Sequence, residues 1–187
     1  MFVPATQLRV GMIVMHQNDL HRIMELTHVT PGNWRGFVRT KLRNLRSGLQ
    51  TEYKFRSEDK VDRVSLEQQE MEYLYQSGDE FHFMNSENYE QITLSRDTLG
   101  DSVLYLTPNL KIRVDMYQSE PVGISLPKIV DLQVTDAPPT MKSATVTNEL
   151  KPATTETGLV VRVPSFIEVG DTVRVDTETG NYLSRAK

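Results

Sequence analysis

Residues 21–55, HRIMELTHVTPGNWRGFVRTKLRNLRSGLQTEYKF, contain three short runs rich in β-branched and aromatic residues, separated by two turn-forming segments. The first segment contains a proline and two glycines, and the second contains Gly48. Because β-branched and aromatic residues favour strands and glycine supplies the positive φ of tight turns, this stretch predicts successive strands joined by turns.

The same pattern extends outward from this stretch in both directions. Gly78 in QSGDEF and Gly180 in TETGNY mark further turns. Helix is expected only around SRDTLGDSVLYL, where Ser95 can cap one short turn and Gly100 can end it. Many short strands with little helix predict an all-β chain of barrels or sandwiches. The predicted strands are 21–29, 37–45, 50–55, 71–75, 80–84, 111–117, 123–127, 129–136, 157–164, 171–177 and 180–185.

The chain length of 187 residues allows two or three small domains. A charged run and a later proline place the boundaries so that the domains are 1–63, 64–127 and 128–187. Domains of about 60 residues are near the lower limit of core size, so we expect compact closed barrels that pack against one another. The segment 136–158, DAPPTMKSATVTNELKPATTETG, is expected to be a long loop in the third domain.

The composition is that of an ordinary globular protein, with 38% hydrophobic and 25% charged residues. Cysteine is absent, which excludes disulfides and thiolate metal sites. No run approaches the roughly 20 apolar residues of a membrane helix, and the N-terminus has no signal-peptide pattern. We therefore expect a cytoplasmic location without membrane association.

The net charge of −4 is unevenly distributed. Residues 1–63 have 11 Lys/Arg and 6 Asp/Glu, residues 64–127 have 3 and 11, and residues 128–187 have 7 and 8. A basic first third can neutralise phosphates, whereas an acidic middle third is repelled by them, so the pattern suggests nucleic-acid contacts away from the middle. Chance segregation of surface charge is the alternative.

The strands on either side of the loop at 30–36 are expected to alternate strictly between two faces. Three cations then form a basic stripe with a step of about 7 Å, suited to RNA phosphates. The alternative is the solvent-exposed face of an edge strand. The predicted faces are Arg22, Met24, Leu26 and His28 against Ile23, Glu25, Thr27 and Val29, and Val38, Thr40 and Leu42 against Arg39, Lys41 and Arg43.

The loop itself carries groups that a plain hairpin turn does not require. Its two glycines permit close approach, while the asparagine, tryptophan and arginine between them can hydrogen-bond, stack on unpaired bases and contact phosphates. The alternative is that the indole packs back onto its own barrel as a hydrophobic plug. The candidate loop site is Pro31, Gly32, Asn33, Trp34, Arg35 and Gly36.

Catalytic and metal-binding motifs are absent from the sequence. The four histidines have no metal-ligand spacing, and there is no HExxH, P-loop, GxGxxG or GxSxG motif. Glu80 and His82 share a strand face, an arrangement more typical of a surface pair than of a catalytic dyad. We expect no catalytic residue, no metal and no cofactor; an enzyme would need a convergent polar pocket.

The last residues, GNYLSRAK, contain an aromatic ring, a hydroxyl group and two cations. They are typical of a frayed surface strand, and the alternative is a second RNA contact through Tyr182 and Arg185.

Three stretches of the chain resemble the elongation factor P family. KPATTETGLVVRVPSFIEVG at 151–170 matches the family signature K-x-A-x4-G-x2-[LIV]-x-V-P-x2-[LIV]-x2-G, and HVTPGNWRGFVRTKLRNLRSG and YLYQSGDEFHFMN resemble its hairpins in the first and second domains. The similarity runs from about Gly11 to Lys187. The matching signature positions are Lys151, Ala153, Gly158, Val161, Val163, Pro164, Ile167 and Gly170.

This resemblance implies an SH3-like (KOW-type) barrel followed by two OB-fold barrels, arranged in an L shape. It implies a monomeric translation factor that binds the 70S ribosome and its ribosomal RNA beside the P-site peptidyl-tRNA, with mRNA at the E site as a further partner. Such factors stimulate peptide-bond formation at consecutive prolines, where the proline ring slows the reaction. A non-ribosomal module that binds single-stranded RNA is the alternative function.

The sequence departs from the family pattern at two places. The family's modified Lys or Arg corresponds to Asn33, which can receive neither family modification, and the next two positions are Trp34 and Arg35. The family's G-D-T loop in the last domain corresponds to Ser143, Ala144 and Thr145. The resemblance therefore implies a divergent member with a different tip chemistry.

Overall fold

The computed structural model describes residues 1–32, 35–139 and 150–187. In these ranges the chain consists mostly of antiparallel strands, which form three separate sheets, each with its own buried hydrophobic cluster. The all-β prediction is therefore confirmed. None of the helices in the described ranges is long and apolar enough to cross a membrane.

The first sheet has six strands in the order β1-β6-β2-β3-β4-β5. Its core is filled by small and medium apolar side chains, among which Leu8, Val14, Ile23, Val38 and Leu42 are fully buried. A 3-10 segment at Ala5–Gln7 follows the first strand. The strands are β1 (Phe2–Pro4), β2 (Ile13–His16), β3 (Asp19–Val29), β4 (Phe37–Asn44), β5 (Gln50–Arg56) and β6 (Lys60–Val64).

The second sheet has five strands in the order β11-β10-β7-β8-β9, and its two outer strands approach each other, as in a barrel. One helical turn, α1 (Arg96–Leu99), follows β9 and continues as a 3-10 segment at Gly100–Tyr105. The strands are β7 (Glu67–Ser77), β8 (Glu80–Asn85), β9 (Gln91–Ser95), β10 (Lys111–Tyr117) and β11 (Glu120–Ser125).

The third sheet has the order β14-β13-β12-β15-β16, and β14 and β16 likewise approach each other. This is the order of the second sheet read in the opposite direction, so the two units share one topology although no sequence repeat is evident. The strands are β12 (Ile129–Asp136), β13 (Leu150–Thr155), β14 (Val160–Pro164), β15 (Thr172–Asp176) and β16 (Tyr182–Arg185). We propose that the three sheets correspond to domains 1–63, 64–127 and 128–187.

The prediction of a continuous loop over 136–158 was wrong. Strand β13 lies inside this range and pairs with both β12 and β14. Its Ala153 and Thr155 side chains are buried, so the strand contributes to the core despite its proline. Pro152 lies at a strand position, where its missing N–H and the Thr-rich composition masked the strand signal.

Three turn predictions are confirmed by the backbone. Gly48, Gly78 and Gly180 have φ values of 73°, 62° and 71°, and each lies between two paired strands. The predicted helical turn is also present: the Ser95 side chain accepts a hydrogen bond from the Thr98 N–H at its start, and Gly100 ends it with φ 56°.

Strict alternation along β3 was wrong, because the strand contains a β-bulge. Ile23 pairs with Leu42, but the next pair joins Glu25 to Lys41, so Met24 has no partner across the ladder. The inserted residue reverses the faces, and Leu26 packs on the same core as Ile23. The predicted faces of β4 are confirmed, since its Val38, Thr40 and Leu42 are buried and its Arg39 is exposed.

The first and second units are held together by a buried carboxylate. Asp115 on β10 is 3% exposed, and its oxygens accept from the Arg22 guanidinium at 3.2 Å and from the Gln68 amide at 2.8 Å. The Ser125 hydroxyl also donates to it, at 3.4 Å. A buried charge with several donors fixes geometry strongly, so Arg22 anchors the base of the β3–β4 hairpin to the second unit.

The second and third units share apolar and polar contacts. Leu110 packs against the cores of both units, and Tyr105 packs against the core of the third. The Thr157 hydroxyl donates to the Leu104 carbonyl and the Thr177 hydroxyl donates to the Pro127 carbonyl, each at 2.6 Å. These contacts agree with the expectation that small barrels pack against one another.

Candidate nucleic-acid interface

The β3–β4 hairpin is paired from His21 and Asn44 at its base to Val29 and Phe37 at its tip. The connecting segment at 30–36 contains the candidate loop site. Asn33 and Trp34 lie outside the described residues, so the roles assigned to them stay predictions. The same holds for Ser143, Ala144 and Thr145 in the third unit.

Gly36 lies where the loop packs against the turn between β5 and β6. Its carbonyl accepts from the Ser57 N–H at 3.1 Å, and a Cβ at this position would lie 2.8 Å from Ser57 Oγ and 3.3 Å from the Val29 carbonyl oxygen. Gly32 differs, because a Cβ there would meet no described atom within 4 Å. The loop therefore contacts its neighbour through Gly36, while Gly32 has no such contact among the described residues.

Arg35 extends from this seated loop into solvent. Its side chain is 85% exposed, and its Nε lies 3.9 Å from an oxygen of Glu58, which is itself 75% exposed. An ion pair of this length between exposed groups contributes little free energy. The guanidinium is therefore available to a phosphate, which it can bind through two parallel hydrogen bonds.

The three cations of the predicted stripe have different surroundings. Arg39 is exposed and has no ion pair within the described part of the chain. The Lys41 ammonium donates to Glu25 at 3.3 Å. The Arg43 guanidinium packs against Gly100 of the second unit, in the space that a Cβ at this glycine would occupy. Arg39 thus presents an exposed charge at this face, whereas Lys41 is paired and Arg43 lies against the second unit.

Strand β5 adds two cations that the sequence analysis missed. Arg39 pairs with Lys54 and Phe37 pairs with Arg56, and both partners are exposed. The Lys54 ammonium lies 3.6 Å from the centre of the Phe37 ring, a cation–π contact that places it beside the tip. Two features of the sequence could have revealed these cations: the alternation in QTEYKFR and the turn at Gly48. We call Arg35, Arg39, Lys54 and Arg56 the hairpin end.

An aromatic cluster packs against the side of β5 opposite its exposed cations. The His16 ring lies 4.3 Å from the Tyr53 ring and 5.9 Å from the Phe55 ring, measured between centroids. The buried Thr40 hydroxyl donates to the Tyr53 carbonyl at 2.9 Å. Burial lowers the pKa of His16 below its usual 6.5, and the nearby His21 lowers this pKa further. The rings fix β5 against β2.

The C-terminal candidates lie in the third unit and make contacts within it. Strand β16 pairs with β15, so the terminal segment is not frayed over its strand residues. Tyr182 packs against the third core, and the Arg185 guanidinium lies 3.0 Å from Asp171. The structure does not bring these two residues to the hairpin end.

The histidines were considered as metal ligands and, for His82, as part of a catalytic pair. Within the described ranges there is no group of three or more His, Asp or Glu side chains arranged to hold a metal ion. His82 stacks on Tyr75 with 4.5 Å between centroids, and its Nδ1 lies 3.1 Å from the Thr93 hydroxyl. These are contacts between neighbouring strands at a surface.

Models of one family match all three units. Residues 4–61 match "Elongation factor P (EF-P) KOW-like domain", residues 66–124 match "Elongation factor P (EF-P) OB domain", and residues 130–185 match "Elongation factor P, C-terminal". The predicted KOW-type first barrel and OB-fold second barrel are confirmed by these matches, and the shared strand order extends the likeness to the third barrel.

Curated relatives match over the whole length. The chain is 54% identical over 186 residues to elongation factor P of Acidobacterium capsulatum, covering 100% of both chains. It is 45% identical over 183 residues to elongation factor P of Gemmatimonas aurantiaca, covering 98% of this chain and 97% of the relative.

A solved structure described as eukaryotic translation initiation factor 5A from Methanococcus jannaschii matches with a TM-score of 0.52. The match covers 68% of this chain and 92% of the other, at 20% sequence identity. At this identity the likeness concerns the fold alone.

Proposed function

This chain belongs to the elongation factor P family of translation elongation factors, and from that premise we propose that it binds the ribosome beside the P-site peptidyl-tRNA and accelerates peptide-bond formation at consecutive prolines. Its partners in this role are the 70S ribosome, ribosomal RNA and the acceptor end of the tRNA, in the cytoplasm. Contact of the third unit with mRNA at the E site belongs to the same proposal.

The observation that carries the proposal is the hairpin end. Four cations on the loop, β4 and β5 lie exposed around the tip of one hairpin, and within the described part of the chain their only ion pair is the long one from Arg35 to Glu58. Such a group favours binding to closely spaced phosphates. The single-stranded end of a tRNA presents phosphates of this kind together with unpaired bases.

The mechanism is positional. Proline restricts its own φ, so prolyl donors and acceptors seldom reach the geometry needed for attack. A factor that holds the acceptor end in a productive pose lowers the barrier by orientation, and about 3 kcal/mol of such stabilisation is roughly a hundredfold in rate. In this proposal Arg35 contacts phosphates, Trp34 stacks on an unpaired base, and Asn33 supplies short hydrogen bonds.

The experiment is reconstituted translation of a message that encodes consecutive prolines. We expect Trp34→Ala and Arg35→Ala each to slow proline–proline bond formation about tenfold, while translation of a message without consecutive prolines is unchanged. Arg46→Ala is the matched control, because Arg46 is an exposed cation of the same unit in the turn after β4. Full activity of both tip variants would contradict the mechanism.

Ribosome co-sedimentation separates this proposal from the alternative of a non-ribosomal RNA-binding module. We expect the chain to co-sediment preferentially with ribosomes that hold a P-site tRNA. Equal binding to empty ribosomes and to free RNA would favour the alternative.

A further inference from the structure

The first and second units are joined through the chain by a very short connection. Strand β6 ends at Val64 and β7 begins at Glu67, so the connection consists of Ser65 and Leu66. A cavity of about 680 Å³ lies beside it and is lined by residues of both units. Because a short connection beside open space lets one unit turn against the other, noncovalent contacts set the angle between the two units.

The Arg22–Asp115 ion pair alone leaves this angle free. Arg22 lines the large cavity and also a second, smaller cavity of about 80 Å³ between the same two units. The pair, at 3.2 Å, therefore lies between two spaces. A contact at one place holds the units together but permits rotation about itself, so a second contact at some distance from it is needed to fix the orientation.

Arg43 makes this second contact. Its guanidinium lies between two glycines, Gly48 of the first unit and Gly100 of the second. A Cβ at Gly100 would overlap the nearest guanidinium nitrogen and lie 3.5 Å from the guanidinium carbon, while a Cβ at Gly48 would lie 3.9 Å from the same nitrogen. With φ 56° and ψ −136°, Gly100 also has a backbone conformation that side chains disfavour. Gly100 thus supplies the space that the guanidinium fills.

The turn between β4 and β5 meets the second unit at the same helical turn. The Thr98 hydroxyl donates to the Arg46 carbonyl at 3.4 Å, and a Cβ at Gly48 would lie 2.9 Å from the Asp97 carbonyl oxygen. Thr98 and Asp97 both belong to α1, which Gly100 ends. The base of the β3–β4 hairpin is therefore supported by α1, with the Arg43 guanidinium at its end.

The hairpin converts a small rotation at this base into a large displacement of its tip. Strand β4 rises about 3.4 Å per residue, so Phe37 lies roughly 20 Å from Arg43 along the strand. Over this length a rotation of about 6° at the base moves the tip by about 2 Å. Where catalysis depends on orientation, a misplacement of about 1 Å can cost about a hundredfold in rate. The contact at Arg43 is therefore decisive for a positional mechanism.

We propose that Arg43 is a positioning residue for the hairpin tip: its guanidinium fills the space over Gly100 and so fixes the angle between the first and second units. This inference rests on the proposed function, for which it names the residue that controls how the tip is delivered to the tRNA end. Arg43 acts through the second unit and makes no contact with RNA in this role. The assignment differs from the phosphate contact that the basic stripe predicted for it.

The first test measures the angle in the free, full-length chain. Because the chain has no cysteine, Thr27→Cys on the exposed part of β3 and Glu87→Cys in the second unit allow a pair of spin labels to report one distance across the boundary. We expect Arg43→Ala to broaden or shift the distance distribution by about 2 Å or more, the displacement that a rotation at the base produces.

The matched control for this measurement is Lys60→Ala, which removes an exposed cation of the same unit on β6. We expect Lys60→Ala to keep the wild-type distribution, and thermal unfolding of each variant verifies its folding. A distribution that Arg43→Ala leaves unchanged would overturn the proposal.

The second test separates positioning from RNA contact. In reconstituted translation of a message with consecutive prolines, the concentration of the chain is varied to obtain its half-saturating concentration and the maximal rate. We expect Arg43→Ala to lower the maximal rate about tenfold and to change the half-saturating concentration by less than about twofold, because no binding group is lost. Lys60→Ala should match the wild type in both quantities.

Arg43→Lys decides between the two roles. A lysine keeps the charge but lacks the planar guanidinium, so we expect the maximal rate of Arg43→Lys to stay close to that of Arg43→Ala. If Arg43→Ala raised the half-saturating concentration and Arg43→Lys restored it, Arg43 would be a phosphate contact and the proposal would be overturned.

Failure of this inference is distinguishable from failure of the proposed function. If the wild-type chain does not accelerate proline–proline bond formation, the proposed function fails and the positioning role fails with it. If the wild type accelerates the reaction and Arg43→Ala reaches the same maximal rate, the positioning role alone is overturned.

Discussion

At the residue scale, Gly36 shows how the loop is held. The absence of a side chain lets its backbone lie close to Ser57 and Val29, since a Cβ would lie 2.8 Å from the Ser57 hydroxyl oxygen and 3.3 Å from the Val29 carbonyl oxygen. A loop seated in this way presents Arg35 from a fixed base. The conformational constraint, rather than the charge of the loop alone, makes a positional mechanism physically reasonable.

We predict that Gly36→Ala lowers the free energy of unfolding by about 1 kcal/mol, because the Ser57 hydroxyl and the Val29 carbonyl must both move to accommodate the methyl group. Gly32→Ala is the matched control and should change stability by less than about 0.5 kcal/mol. Urea titrations of both variants measure this difference. Equal effects of the two substitutions would show that the contact of Gly36 with Ser57 does not constrain the loop.

We expect the free energy of unfolding of the first unit to depend on pH through His16. Its pKa is lowered in the folded chain by burial and by His21, so the unfolded chain binds a proton more readily than the folded one. The free energy of unfolding should therefore fall as the pH drops below about 6.5, and the loss should level off below the folded pKa.

The measurement is a pair of urea titrations at pH 7.5 and pH 5. We expect the wild type to lose more stability between the two pH values than His16→Asn, in which the titrating group is absent. His28→Asn, on the exposed part of β3, serves as the control. A wild-type loss that His16→Asn retains in full would assign the pH dependence to other groups.

At the scale of the elements, the sequence predicts correctly those features of the structure that local chemistry decides. Gly48, Gly78 and Gly180 mark turns because a positive φ is a property of the residue itself. The cap at Ser95 is equally local. The β2–β3 turn was missed because Gln17 and Asn18 both adopt a positive φ without any glycine.

The remaining errors concern pairing between strands. The bulge at Met24 and the strand β13 depend on their register with the neighbouring strands, which alternation and composition cannot reveal. For the same reason Lys54 and Arg56 were missed at the hairpin end: their place beside Phe37 and Arg39 depends on the β4–β5 register. The site could be predicted within one strand but not across strands.

The hairpin has two ion pairs that differ in burial, and they allow a matched comparison. Arg22→Met leaves the buried Asp115 carboxylate without its cation, whereas Lys41→Met leaves an exposed Glu25. We predict a loss of about 2–3 kcal/mol in the free energy of unfolding for Arg22→Met and at most about 1 kcal/mol for Lys41→Met. Equal losses in urea titrations would mean that the Arg22–Asp115 pair does not anchor the hairpin.

The contact of Arg43 with Gly100 makes a second prediction about the same boundary. Gly100→Ala places a methyl group against the Arg43 guanidinium and imposes a positive φ on alanine. Arg43→Ala removes the steric part, so the two substitutions together should cost less than the sum of their separate effects. A double-mutant cycle measures the coupling, and strict additivity would contradict the contact.

At the scale of the whole molecule, each unit packs against the next one along the chain. The third unit packs on Tyr105 and Leu110, the second binds Arg22 and Arg43, and the hairpin extends from that base. The hairpin end is thereby fixed in relation to the second and third units.

The central claim is that the tip of the β3–β4 hairpin reaches the acceptor end of a ribosome-held tRNA. The most direct test is a cryo-EM map of the chain bound to ribosomes stalled at consecutive prolines. We predict density for residues 31–36 against the terminal nucleotides of the P-site tRNA, with Arg39 and Lys54 facing its phosphates. A map in which that loop points away from the tRNA end would contradict it.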